Sequence, residues 1–188
     1  MKVLIPLAAR SPFFPPEEYH FPVPLIEIEG ISIIKLVVDN LLMINGDLEF
    51  IFVALAEECR TFSLNNIFQL VTNEKCKVVE LQGKTQGSLC SCLMAIDYFN
   101  DDRPLIIGNP DQIFDIDLST IIKYFQNRHL DAGVISFETV HPRWSYIRVD
   151  QNDNIIEAAT QKVISHLGIA GLIYFAHGQD FVMAAMES

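Results

Sequence analysis

Cations, metal-ligand spacings and long apolar runs are all scarce in this 188-residue chain. Lys and Arg together number 13 against 24 Asp and Glu, for a net charge of −11. Duplex binding relies on Lys and Arg to neutralise phosphates, so this balance excludes a nucleic-acid partner. It leaves room for a small anionic ligand held by local groups. No apolar run approaches the roughly 20 residues needed to span a bilayer. The apolar start is ended by Pro6 and is too short for a secretory signal. The expectation is a soluble, cytoplasmic protein with no membrane partner. The four cysteines, Cys59, Cys76, Cys90 and Cys92, include one C-x-C pair but no second pair at zinc spacing. They read as buried free thiols in a reducing compartment. The five histidines, among them His20 and His166, form no metal-binding pattern. Internal repeats, low-complexity stretches and linkers are also absent, which gives one domain over residues 1–188.

What the chain does have is an apolar pattern organised around its first thirty residues. Val3-Leu4-Ile5 is too short for a helix and reads as a buried strand. Residues 7–24 carry five prolines, four aromatics and no glycine, a composition for a long irregular loop. Loops of this length are uncommon unless they are functional or disordered, and apolar anchors at both ends favour function. Leu25, Ile26 and Ile28 return the chain to an apolar segment closed by Gly30.

Apolar residues at Ile34, Val37, Val38, Leu41 and Leu42 then predict an amphipathic helix, with Ser32 as its cap and Asn45-Gly46 as its stop. Residues 48–55 form a near-continuous apolar strand of the kind that parallel sheets bury on both faces. Further helices are expected over 62–70, 88–99 and 118–125, the last started by Asp115 or Asp117, and further strands over 77–81 and 105–108. Three β-type runs follow at 132–139, 145–149 and 169–175, with a polar turn at 150–154 and a last helix over 181–186. Strand and helix alternate through residue 125, after which strands dominate. The fold class is α/β: a parallel half continued by a mixed β half.

In such a sheet the loops after the first, third and fourth strands meet over one edge. Here they offer glycines (Gly83, Gly87), amides (Gln82, Gln86, Asn109, Gln112) and acids (Asp111, Asp115). Amides and bare backbone suit a base edge, and a carboxylate at a strand end suits a divalent ion beside phosphates. Each residue also has an ordinary reading. Asp111 could cap a turn, Gly83 and Gly87 could be turn glycines, and Lys162 could be a solvated surface lysine. In the β-rich half, Trp144, Tyr146 and His166 are candidates without a decisive pattern.

Several segments resemble one family. Lys2-Val-Leu-Ile-Pro-Leu-Ala-Ala-Arg10 and Pro22-Val-Pro-Leu-Ile-Glu-Ile-Glu-Gly30 resemble the opening of the sugar-phosphate nucleotidylyltransferases, or nucleotide-sugar pyrophosphorylases. The similarity continues through Thr85-Gln-Gly87, the 105–112 segment, His141-Pro-Arg-Trp-Ser-Tyr146 and Gly171-Leu-Ile-Tyr-Phe175. It implies a Rossmann-like, GT-A-type fold, with a mixed, mostly parallel sheet flanked by helices. It also implies attack of a sugar 1-phosphate on the α-phosphate of a nucleoside triphosphate, with magnesium as cofactor, supplying surface-polysaccharide synthesis. In that frame Asp111 is the metal ligand and a catalytic residue, and Arg10 is catalytic. Leu7, Ala8, Ala9, Gln82 and Gly87 bind the nucleotide, and Lys162 lies near the sugar phosphate. Residues 1–125 become the nucleotide half. Residues 126–188 become a sugar-phosphate half that is short at its C-terminus. A homo-oligomer is compatible with the sequence.

The departures fall on the working parts. The glycine-rich signature loop here reads Ala9-Arg10-Ser11-Pro12-Phe13, with Phe13 where an arginine is expected. The lysine of a Pro-Lys-Pro motif is Val23, and a Glu-Lys pair is replaced by Thr160-Gln161. Phosphoryl-type transfer is mostly positioning and charge stabilisation, and losing one such group costs on the order of 10²-fold or more in rate. Three readings stay open: a weakened nucleotidylyltransferase, a non-catalytic protein that binds nucleotides or nucleotide sugars, and a glycosyltransferase on the same fold.

Overall fold

The computed structural model describes residues 1–8, 14 and 18–187. The chain starts with β1 (Lys2–Pro6) and passes through a short hairpin, β2 (Glu27–Ile28) and β3 (Ile31–Ser32), into α1 (Ile33–Leu42). Next come β4 (Glu49–Leu55), α2 (Ala56–Phe62), α3 (Leu64–Val71), β5 (Cys76–Leu81) and α4 (Ser88–Leu93). β6 (Leu105–Gly108) and α5 (Leu118–Asn127) complete the alternating part. The remainder is β7 (Ala132–Glu138), β8 (Tyr146–Val149), β9 (Ile155–Ala159), β10 (Leu167–Phe175) and α6 (Gly178–Glu187).

One eight-stranded sheet runs β5-β4-β1-β6-β10-β8-β9, with β7 paired on β10. β5, β4, β1 and β6 are mutually parallel. β10 enters antiparallel to β6 and carries β7 and β8 antiparallel to itself. The mixed, mostly parallel sheet flanked by helices is thus observed. Side-chain alternation explains its two covered faces. Val3, Ile5, Phe50 and Phe52 point into one core with α1, α3 and α5. Leu4, Ile51 and Val53 point into the other with Cys92 of α4, Phe99 and Phe181 of α6. Phe52 is fully buried and stacks on Phe68 of α3 at 4.2 Å between ring centroids.

Four details differ from the sequence reading. The helix expected over 62–70 is two helices, because β4 runs straight into α2 and Ser63 takes a left-handed conformation (φ 54°) that ends it. Glu57 and Glu58 in the first turn of α2 and Arg60 in its last suit the helix dipole. The helix expected over 88–99 ends at Leu93 and gives way to a 3-10 turn, Ile96–Tyr98. β9 went unread because nearly all of it is exposed. Its place is set by the 150–154 turn, where the Asp150 carboxylate accepts from the Asn152 and Asn154 amides and returns the chain along β8. Of the two proposed caps of α5, Asp117 accepts from the Thr120 amide. Three of the thiols are buried, but Cys90 is exposed. No helix among the described residues is long and apolar enough to cross a membrane.

At the amino end of the sheet, Lys2 is buried with its side chain 4% exposed, and its ammonium lies 2.6 Å from Asp101. Arg103 bridges Asp101 to Glu49 at 3.1 and 3.0 Å. Burial pushes the Asp101 carboxyl up, but hydrogen bonds from Lys2 and Arg103 outweigh it and hold the group below its ordinary 3.8. A depressed carboxyl contributes stability that is complete above the ordinary value and is lost as pH falls through the lower folded value. Asp101→Asn is therefore expected to be less stable than wild type at neutral pH, and denaturant titrations should show the gap closing below about pH 4. A gap that stays constant with pH would contradict this ion-pair reading.

The thiols give a second check. Burial pushes Cys59 up to about 11 and Cys92 to about 12, and it raises Cys76 as well. Thiolates are the reactive form. A chromogenic disulfide reagent at pH 8 should label Cys90 at once and the other three only on unfolding.

Candidate functional site at the carboxyl end of the sheet

Parallel pairing brings the carboxyl ends of four strands to one edge. Leu7 continues β1, its amide donating to the Val53 carbonyl at 2.7 Å, and Leu7 and Ala8 are both buried there. In the β5-β4-β1-β6 order, strands at roughly 4.8 Å spacing put the exits of β5 and β6 about 14 Å apart across that edge. Gln82 leaves β5 on one side and Asn109 leaves β6 on the other, with Leu7 and Leu55 between.

A cavity of about 210 Å³ opens at this edge. Leu7 and Ala8 form its floor, and Leu55, Glu58 and Phe62 contribute a wall from the β4–α2 junction. The proline-rich loop supplies Phe14, Tyr19, His20, Phe21 and the Pro22-Val23-Pro24 segment, and Pro110 reaches it from beyond β6. The aromatic wall packs against itself: Phe14 meets Tyr19 edge-on at 5.1 Å, and Phe21 meets Phe62 at 6.0 Å. Among the described residues that line the cavity there is no Lys or Arg. Val23, standing where the resemblance has a lysine, is in its wall.

The other sequence candidates take distinct places. Arg10 and Ala9, and with them Phe13, lie outside the described residues. Asp111 is half-buried, one residue beyond Pro110 of the cavity wall. The turn that carries it is held at both ends. The Asn109 amide donates to the Gly171 carbonyl of β10 at 2.9 Å. The Asn40 side chain of α1 both donates to the Phe114 carbonyl and accepts from the Phe114 amide, each at 2.9 Å. Gln82 and Gly87 are exposed and do not line the cavity. Gly87 precedes α4 with φ 151°, a value that favours glycine. Its carbonyl accepts from Thr85 Oγ1 and from the Ser91 amide. Lys162 is exposed in the turn between β9 and β10, away from the cavity.

The aromatic candidates of the β-rich half are engaged in packing. Tyr146 is fully buried and its hydroxyl donates to the His141 carbonyl at 2.7 Å. Trp144 meets Phe137 edge-on at 5.1 Å, and the Arg143 guanidinium sits 4.8 Å from its ring centre. His166 is exposed, and its carbonyl accepts from the Thr139 amide. Glu58 and Phe62 were missed by sequence reasoning because α2 itself was missed. The acid pair directly after an apolar strand, Glu57-Glu58, is the signal that could have found them.

Solved structures share this architecture, among them these two. The whole chain matches a nucleoside-diphosphate-sugar pyrophosphorylase from Vibrio cholerae RC9 with a TM-score of 0.78 at 17% identity, covering 78% of that chain. Over 96% of its length it matches a protein from Bacillus anthracis assigned as a glucose-1-phosphate thymidylyltransferase and solved with sucrose. There the TM-score is 0.74 at 17% identity, covering 73% of that chain. No protein-family model matches the sequence, and no curated protein matches it as a relative. The chain has a sugar-nucleotidylyltransferase-like fold.

Proposed function

We propose that this protein handles nucleotide sugars in the cytoplasm as a weakened sugar-phosphate nucleotidylyltransferase serving surface-polysaccharide synthesis. The observation that carries this reading is the placement of a cavity over Leu7 and Ala8 at the carboxyl edge of the parallel strands, within that fold. In the proposed reaction a sugar 1-phosphate oxygen bonds to the α-phosphorus of a nucleoside triphosphate. The α–β anhydride bond breaks, pyrophosphate leaves with the electron pair, and a nucleoside-diphosphate sugar remains. Residues 1–125 hold the nucleotide and residues 126–188 the sugar phosphate.

Each candidate has a role in this reading. The Leu7 and Ala8 backbone lies along the nucleotide, Gln82 and Gly87 serve the base, and Ala9 keeps the nucleotide-binding role that the resemblance assigns it. Arg10 keeps the catalytic role that the resemblance assigns it, and Lys162 serves the sugar phosphate. Asp111 holds magnesium. No group of three or more His, Cys, Asp or Glu side chains among the described residues could cage an ion. A single carboxylate suits magnesium that arrives with phosphate oxygens and keeps its waters. When bound, the ion neutralises charge on the phosphates.

Val23 in the cavity wall, with no Lys or Arg beside it among the described residues, supports a second reading: a nucleotide or nucleotide-sugar binding protein without turnover. A ligand present at 100 times its Kd stabilises the folded state by about 2.7 kcal/mol, so thermal shift with nucleoside triphosphates and nucleotide sugars reads binding directly. Pyrophosphate release then separates the two readings. Magnesium-dependent stabilisation with slow pyrophosphate release, abolished in Asp111→Ala, is the expected result. Val23→Lys should raise that release on the order of tenfold or more. Stabilisation by nucleotide sugars without any release selects the binding protein. No shift with any nucleotide, with or without magnesium, removes both.

A further inference from the structure

β10 breaks its regular pairing between Ile169 and Ile173, where Gly171 takes φ +22°. The space a side chain would fill at Gly171 is already occupied by two amides. A Cβ there would lie 1.9 Å from Gln112 Oε1 and 2.4 Å from Asn109 Nδ2. Both amides flank Asp111 in sequence, and the Asn109 backbone is hydrogen-bonded to the same glycine. On the other side of the turn, Asn40 exchanges two hydrogen bonds with Phe114. Such a pair fixes both distance and orientation, since the Asn40 NH2 donates to the Phe114 carbonyl while its Oδ1 accepts from the Phe114 amide.

We infer that Gly171 and Asn40 are positioning residues for Asp111, gripping the 109–115 turn from two sides so that its carboxylate is held at the cavity edge. The inference rests on the metal role proposed for Asp111. Glycine is required at 171 for two separate reasons: the left-handed backbone and the close approach of the Gln112 and Asn109 amides. Neither residue lines the cavity. They act through the turn, as the outer partners of metal ligands do when they fix ligand orientation.

The experiment is hydrogen exchange of the full chain, paired with Mn²⁺ titration in the presence of a non-hydrolysable nucleoside triphosphate. The variants are Gly171→Ala, Gln112→Ala and Asn40→Ala. Leu70→Ala is the control, because that side chain is 77% exposed on α3 and lines no part of the cavity. The expected result is faster exchange over 109–115 in the three variants, with β1 and β4 protected as in wild type. Mn²⁺ affinity should fall about 10- to 100-fold, and the control should change neither. If Gly171→Ala does not fold, Gln112→Ala decides alone, since it empties the cradle without straining the backbone. Unchanged exchange over 109–115, or a uniform rise across the sheet, overturns the inference. So does a loosened turn with Mn²⁺ affinity intact in a wild type that binds the ion. A wild type that binds no Mn²⁺ with any nucleotide fails at the proposed function itself, and the positioning role falls with it.

Discussion

The parallel pairing of β1 between β4 and β6 is the constraint from which the candidate site follows. Val3, Leu4 and Ile5 are fully buried, so the strand cannot slip by one residue without turning each core's contents into the other. With that register fixed, Pro6 lies beside Val53 and Leu4 beside Ile107. The chain must then leave three neighbouring strands at one edge. Leu7 and Ala8 at that edge are floor because the strand behind them is core.

The chemistry available at that edge is set by what the walls lack. A nucleoside fits aromatic and proline-rich surroundings through apolar contact, but a triphosphate in the same place needs cations or bare amides. The described walls supply Phe14, Tyr19, Phe21 and Phe62, with one acid, Glu58. Such a lining favours apolar contact over phosphate charge. The opposite edge of the sheet holds the charges instead, in the Lys2–Asp101–Arg103–Glu49 chain of ion pairs. That network is closed on itself and ties the start of β1 to neighbouring elements.

Much of the fold was legible because it rests on periodicity. The buried strands and α1 carry their apolar pattern over enough residues to fix both type and place. What failed did so for local reasons. A helix break at Ser63 depends on one residue adopting φ 54°, which no composition announces. β9 exposes most of its length, so its pairing comes from the Asp150 turn rather than from burial. For the cavity, the carboxyl edge and the loop after β1 were readable from strand order, and Leu7 and Ala8 line it; the 82–87 loop, expected to meet them there, does not. The grip on the 109–115 turn was not readable. It joins Asn40, Gln112 and Gly171, residues as much as 131 positions apart (171 − 40 = 131) whose meeting depends on the completed sheet.

The most direct measurement of where this protein works is amide chemical-shift mapping of the isotopically labelled chain, titrated with a nucleotide sugar and magnesium. The expected perturbations cluster at Leu7, Ala8, Leu55, Gln82 and the 109–115 turn, at the carboxyl edge of the parallel strands. Perturbations centred instead on Lys2, Lys75 and Arg103, at the amino edge, would contradict the proposed binding site at the carboxyl edge.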